Sequence, residues 1–293
     1  MRIGAFEINE PVPDLQEPHA LTMIRPWVDV GSVGSLALTR LERHFGATEL
    51  GKLARPGNFL DFTRYRPVIS MREGRRQITV PNSFINYAIR EDGHDFLFLR
   101  LLEPHMFGED YTDSIVELLK TFGVKRYALL GAMYDAVPHT RPLLVTGSMA
   151  GQDIRQRADA ARVEQSTYEG PTTINYLVSN QLAELGIDTA SVIVHLPQYA
   201  QLEEDFTGTA RLLEVLQSFY GLPDHLIDYK KGEHQYQDLT KAMAQNPRLK
   251  PVIQQLERNY DARGTQGTKD EPSTLAPEVE DFLREMDQRF DAN

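Results

Sequence analysis

Residues 21–41 read Leu21-Thr-Met-Ile-Arg-Pro-Trp-Val-Asp-Val-Gly-Ser-Val-Gly-Ser-Leu-Ala-Leu-Thr-Arg-Leu41. The first ten alternate apolar and polar positions, the period of a strand. Beyond Gly31 and Gly34, Leu36, Leu38, Leu41 and Phe45 recur at helical spacing. A change of period across a glycine turn defines a strand–loop–helix unit, with Ser32 or Ser35 as a cap for the helix.

The same grammar recurs along the chain. Short strands are expected at 49–54, 95–102, 125–130, 143–146 and 190–196, and a hairpin at 67–71 and 76–80 around Glu73-Gly74. Helices are expected at 110–122 (Ile115, Leu118, Leu119, Phe122), 171–185 (Ile174, Leu177, Leu182, Leu185) and 203–220 (Leu212, Leu213, Val215, Leu216, Phe219). Apolar strands alternating with amphipathic helices imply a mostly parallel or mixed sheet covered on both faces, an α/β fold. After Gly221-Leu-Pro223 the pattern becomes helical, at 236–245 and 251–260, followed by a polar linker at 261–272. A last helix should start near Pro277 and carry Val279, Phe282, Leu283, Met286 and Phe290 on one face. The organisation expected is an N-terminal arm (1–20), an α/β core (21–222), a helical extension (223–262) and an acidic linker with a terminal amphipathic helix (263–293).

Composition narrows the function classes. A chain of 293 residues, 41% hydrophobic and 25% charged, can bury a sizeable core. No apolar run reaches the ~20 residues that cross a bilayer, and the first residues lack the apolar core of a signal peptide. The absence of cysteine removes disulfides, thiolate metal sites and a cysteine nucleophile. These features favour the cytoplasm. A net charge of −11 argues against nucleic acid and anionic membranes as partners. Residues 264–293 concentrate the acidity, with eight acidic side chains against three basic ones.

Five segments carry a family resemblance: Trp27-Val-Asp29-Val-Gly31-Ser-Val-Gly34-Ser, Asp61-Phe-Thr-Arg-Tyr-Arg-Pro67, Gly131 with Val137-Pro-His-Thr-Arg-Pro142, Glu169-Gly-Pro171 and Val194-His-Leu-Pro-Gln-Tyr199. Their order and spacing resemble the proteasome assembly chaperone 2 family in its long bacterial form, over about residues 21–222. The resemblance implies a three-layer α/β/α sandwich like that of purine nucleoside phosphorylases. It also implies self-assembly into a ring-like or trimeric oligomer. Eukaryotic and archaeal relatives bind proteasome subunits or gates, the archaeal ones through a C-terminal hydrophobic–Tyr–any-residue tail. This chain ends Phe290-Asp-Ala-Asn293, a departure that counts against proteasome docking.

Candidate ligand-binding residues are Trp27, Asp29, Gly31, Ser32, Gly34, Arg64, Arg66, His139, Thr140, Arg141 and Glu169. Backbone N–H groups at a glycine loop entering a helix can hold an anion, but this loop has neither the third glycine of a dinucleotide fingerprint nor a phosphate-binding lysine. Close strand–helix packing is the alternative reading. Arg64, Arg66 and Arg141 could grip a carboxylate or phosphate, or else pair with an internal or intersubunit acid, with Asp29, Asp61 or Glu169 as candidates. Trp27 either lines a cleft or packs. His139, Glu169 and His195 invite acid–base chemistry, although His195 in an apolar strand suits a structural role and no Gly-x-Ser-x-Gly elbow is present. His94, His105, His139 and His195 lack metal-ligand spacing, and neither metal nor cofactor is expected. The preferred reading is a non-catalytic, homo-oligomeric, chaperone-like scaffold. The alternative is an enzyme on a phosphorylase-like fold binding a phosphorylated or nucleoside-like ligand at the Gly31 loop with Arg64 and Arg141. An ATP-grasp-like ligase stands third, without a lysine loop or paired metal-binding acids to support it.

Overall fold

Phe96-Leu-Phe-Leu-Arg-Leu-Leu102 is apolar on both of its alternating faces, so it belongs at the centre of a sheet covered on both sides. A computed structural model of the protein describes residues 1–245 and 249–265. Its strands are β1 (Arg2–Ile3), β2 (Phe6–Ile8), β3 (His19–Arg25), β4 (Thr48–Leu53), β5 (Val68–Arg72), β6 (Arg75–Thr79), β7 (Phe84–Ala88), β8 (Phe96–Leu102), β9 (Arg126–Asp135), β10 (Val145–Gly147), β11 (Met149–Ala150), β12 (Glu164–Gln165) and β13 (Asp188–Pro197). The helices are α1 (Val33–His44), α2 (Gly108–Thr121), α3 (Gln152–Ala160), α4 (Ile174–Glu184), α5 (Phe206–Tyr220), α6 (Tyr229–Ala244) and α7 (Leu249–Thr265).

Among the described residues eleven strands form one sheet in the order β1-β2-β4-β7-β8-β3-β9-β13-β10-β12, with β11 also pairing β13. Its centre, β8-β3-β9-β13, is parallel. The flank from β1 to β7 is antiparallel. Side-chain alternation divides the core between two faces. Leu21, Met23, Phe96 and Phe98 point to α1, α3, α5 and α6. Ala20, Ile24, Leu97, Leu99 and Leu101 point to α2 and α4. Helices therefore lie on both faces, as the alternation of strands and helices implies. The α5 stripe is the expected one: Leu212, Leu213, Val215 and Leu216 are fully buried and Phe219 nearly so.

Several expectations are corrected. Residues 1–20 are not an arm. β1 and β2 form a hairpin, β2 pairs with β4, and Ile3, Phe6 and Ile8 are buried. Alternation in Phe6-Glu-Ile8 suffices for an edge strand, despite the prolines that follow. β7 and α3 were not foreseen. α4 buries Asn175, Val178 and Leu182, while Leu177 and Leu185 are exposed. α6 and α7 are joined to the body, with Tyr236 and Leu239 in the main core and Val252 and Leu256 packed with Tyr199. α7 runs to Thr265, so the linker expected at 261–272 begins inside a helix. The rest of that linker and the apolar stripe of 279–290 lie outside the described residues.

β5 and β6 form a separate two-stranded sheet. Glu73 and Gly74, both at positive φ (51° and 74°), make the two-residue turn that suits a hairpin's twist. Ile69, Met71 and Ile78 are each 64% exposed. No helix among the described residues is long and apolar enough to cross a membrane.

Candidate functional site

The parallel strands β3, β9 and β13 present their carboxyl ends at one edge, where ligand sites form in open α/β sheets. The Gly31 loop follows β3, the His139 loop follows β9, and the turn into α5 follows β13. The 61–66 loop reaches the same edge through the Tyr65 hydroxyl, which lies 3.1 Å from the Arg25 carbonyl and 3.3 Å from that of Glu103. The loops expected to form a site are thus neighbours. Most of the polar groups of the Gly31 and His139 loops, however, are spent on internal partners.

At the glycine loop, the Ser35 N–H and hydroxyl donate to the Asp29 carboxylate at 3.0 and 2.6 Å, closing the first turn of α1. Burial pushes the Asp29 carboxyl up, against the Ser35 hydrogen bonds. Gly31 adopts φ +58°, and its carbonyl accepts the Asp205 N–H at 2.8 Å. A Cβ at Gly31 would stand 2.8 Å from Asp205 Cβ and 2.9 Å from Leu196 Cδ1. The Ser32 hydroxyl donates to the Glu203 carbonyl at 3.0 Å. A Cβ at Gly34 would sit 2.8 Å from the Leu130 carbonyl oxygen. The two glycines therefore serve close packing of α1 on the strands, and the β13–α5 turn caps the loop. That turn is itself fixed by the Asp205 carboxylate, which accepts the Gly208 N–H at 2.7 Å and the Tyr236 hydroxyl at 2.9 Å. Burial raises the Asp205 pKa.

His139 is buried and bonded on both sides. Its N–H donates to the Tyr199 oxygen at 2.8 Å, its Nδ1 lies 2.6 Å from the same oxygen, and its Nε2 lies 3.1 Å from Thr240 Oγ1. The Thr240 hydroxyl spends its proton on the Tyr236 carbonyl at 2.8 Å. Nε2 must then carry the ring proton and donate to Thr240, while Nδ1 accepts from Tyr199. Burial lowers the His139 pKa, with Glu257 acting in the opposite direction.

The Thr-Arg pair faces α7. The Thr140 hydroxyl donates to Glu257 Oε1 at 2.5 Å. Arg141 grips Asp261 with a two-pronged fork, Nε to Oδ1 and Nη2 to Oδ2, both 2.8 Å, and reaches Glu257 at 3.4 Å. The Tyr260 hydroxyl donates to the Pro142 carbonyl at 2.8 Å. Arg141 does pair with internal acids, but they lie on α7 and are not Asp29, Asp61 or Glu169. Arg64, Arg66 and Glu169 do not converge with it. Arg64 is largely exposed, 4.0 Å from Asp61, and Arg66 and Glu169 are exposed. Trp27 is exposed as well.

One arrangement escaped the sequence reading. His195 Nδ1 lies 2.8 Å from Asp135 Oδ2, and its Nε2 lies 2.8 Å from Thr146 Oγ1. Burial pushes the Asp135 carboxyl up, but the His195 hydrogen bond and charge outweigh it and hold it below the usual range. An acid, an imidazole and a hydroxyl in series can activate a nucleophile. Here they sit on β9, β13 and β10 and tie three adjacent strands together. Only the structure could pair residues 49 and 60 positions apart.

Among the described residues, one cleft lies beside the β13–α5 turn of this edge and another at the opposite edge. The first, of about 440 Å³, lies along α6 at the start of α5, lined by Leu202, Phe206, Lys231 and Leu239. The second, of about 560 Å³, opens at the amino ends of β3, β9 and β13, lined by His19, His94, Arg126 and Tyr220. Among the described residues no group of three or more His, Cys, Asp or Glu could hold a metal ion.

A family model described as the PAC2 family matches residues 23–245. A protein of unknown function from Corynebacterium glutamicum superposes with a TM-score of 0.77 at 20% identity, covering 90% of this chain and 99% of that one. A proteasome-assembly chaperone homologue from Mycobacterium tuberculosis superposes with a TM-score of 0.71 at 21% identity, over 80% and 99%. PbaB from Pyrococcus furiosus, an archaeal proteasome activator, gives 0.63 at 14% identity, over 84% and 99%. At these identities the likeness is one of fold. No curated protein matches the chain by sequence.

Proposed function

Because the chain belongs to the PAC2 family, the one its Arg-Tyr-Arg-Pro and Pro-His-Thr-Arg-Pro motifs resemble, we propose that it is a non-catalytic, chaperone-like scaffold that assembles with itself, most simply as a trimer. The α/β body, which takes in β1 and β2 as well as 21–222, forms the assembling unit, of the phosphorylase-like type, and the helices beyond 223 brace it. The observation that carries this reading is a contrast. The carboxyl-edge loops commit Asp29, Gly31, His139 and Arg141 to internal contacts, leaving them little to offer a substrate. The β5–β6 hairpin, by contrast, leaves Ile69, Met71 and Ile78 in solvent on one face. A hairpin of two strands is marginal alone, and a contiguous exposed apolar patch marks a protein contact. The chain's structural neighbours include a proteasome-assembly chaperone homologue and a proteasome activator. Docking to a proteasome is not part of the proposal.

Light scattering tests the reading. The full chain is expected to elute as an oligomer at micromolar concentration. Ile69→Ser with Ile78→Ser should shift it toward the monomer with unchanged far-UV circular dichroism. A monodisperse monomer for the unaltered chain overturns the proposal.

A further inference from the structure

We infer that the hairpin receives the acidic terminal segment 277–290 of a neighbouring copy, laid across its apolar face. The inference rests on the reading of β5–β6 as the self-association surface. Ile69, Met71 and Ile78 share one face of the hairpin with Arg76, because Ile69 pairs with Ile78 and Met71 with Arg76. All four are exposed. Two strands alone make a marginal sheet, and a helix packed on one face is a standard way to stabilise it. Segment 277–290 offers such an element in its sequence: Val279, Phe282, Leu283, Met286 and Phe290 fall on one face at helical spacing.

Charge selects this occupant. Residues 64–80 hold five arginines (64, 66, 72, 75 and 76) against one acid, Glu73, in a chain whose net charge is −11. A second hairpin would bring arginine against arginine. Segment 277–290 carries five acidic side chains and two basic ones, and most of its acids lie off the apolar stripe. Apolar contact flanked by opposite charge is the pattern of a specific protein interface.

Reach allows it. The described chain ends at Thr265, in a helix whose Asp261 is gripped at the carboxyl edge by Arg141. The hairpin springs from the 61–66 loop, anchored to the same edge by Tyr65. Residues 266–276 can span up to ~36 Å when extended.

The absence of cysteine makes the test direct. Met71→Cys in the full chain is labelled with a benzophenone maleimide, irradiated, digested and sequenced by mass spectrometry. Gln77→Cys, on the other face of the hairpin, gives an attachment point that leaves the apolar face intact. Crosslinks from position 71 to peptides of 277–290, in a band of twice the chain mass, are expected. They should be lost when Phe282→Ser and Leu283→Ser are added to the full chain. Crosslinks that join position 71 to residues 1–265, or that stay within one chain, overturn the inference. Light scattering on the same samples separates the two ideas. An oligomer that crosslinks elsewhere refutes the terminal segment and leaves the assembly reading standing. A monodisperse monomer refutes both.

Discussion

At the scale of single residues, two buried histidines contribute to the acid limb of stability. His139 is neutral because Tyr199 and Thr240 leave its ring one proton, on Nε2. His19 is pushed down to about 3, first by burial, then by the charges of His94, Arg126 and Arg90, with Asp153 opposing. For both, the folded pKa lies below the unfolded value of 6.5. The unfolded chain therefore takes up protons first as pH falls, and stability is fully present only above that value. Denaturant titrations should show stability falling between pH 6.5 and about 5, by up to ~1.4 kcal/mol per pH unit for each histidine. His19→Asn should flatten the slope. Asp29 and Asp205, raised by burial, act in the opposite sense at lower pH, above their unfolded value of 3.8. A flat profile across that window would show that the imidazoles are not held neutral.

At the scale of elements, the Thr-Arg loop and α7 hold one another. Arg141 is one-third exposed and Asp261 about half exposed, so their ion pair is partly screened by water and adds little to global stability. Its role is local docking. Arg141→Ala should speed amide exchange across residues 249–263 while β9 and β13 keep their protection, as hydrogen-exchange mass spectrometry can read. Uniformly faster exchange across the sheet would contradict a local role. Much of this scale was legible in the sequence. The α5 stripe, the Glu73-Gly74 turn and the shared edge of the Gly31 and His139 loops follow from period, turn chemistry and strand direction. What was hidden has a physical reason. α3 buries only Ile154 and Ala158, too few for a stripe. Asn175 reads as polar, but it is buried to accept the Tyr127 hydroxyl at 2.7 Å. The acids that hold Arg141 stand 116 and 120 positions along the chain, beyond any local pattern.

At the scale of the whole molecule, one large sheet with two covered faces makes the core a shared structure. Leu213 is fully buried in the cluster that joins α1, α3, α5 and α6 to the sheet. Leu213→Ala should cost about 2–5 kcal/mol, a large part of the ~5–15 kcal/mol that holds a typical domain folded. Chemical denaturation should show that loss in a single transition seen alike by fluorescence and circular dichroism. Two separated transitions would mean that the helices beyond 223 fold apart from the body.

The order of strands also governs when the protein can be made. β3 lies between β8 and β9, and β9 between β3 and β13. A nascent chain that has exposed His19–Arg25 must wait for Phe96–Leu102 and then Arg126–Asp135 before that strand has both neighbours. The pair that binds the far side, β9 with β13, forms only when Asp188–Pro197 has emerged. Pairings so distant in sequence are slow, since each closes a long loop before any contact stabilises it. On the ribosome, α1 can cover Leu21 and Met23 early, but the strand edges of β3 stay unpaired until residues 96–135 have emerged, a long exposure of the kind that invites misfolding.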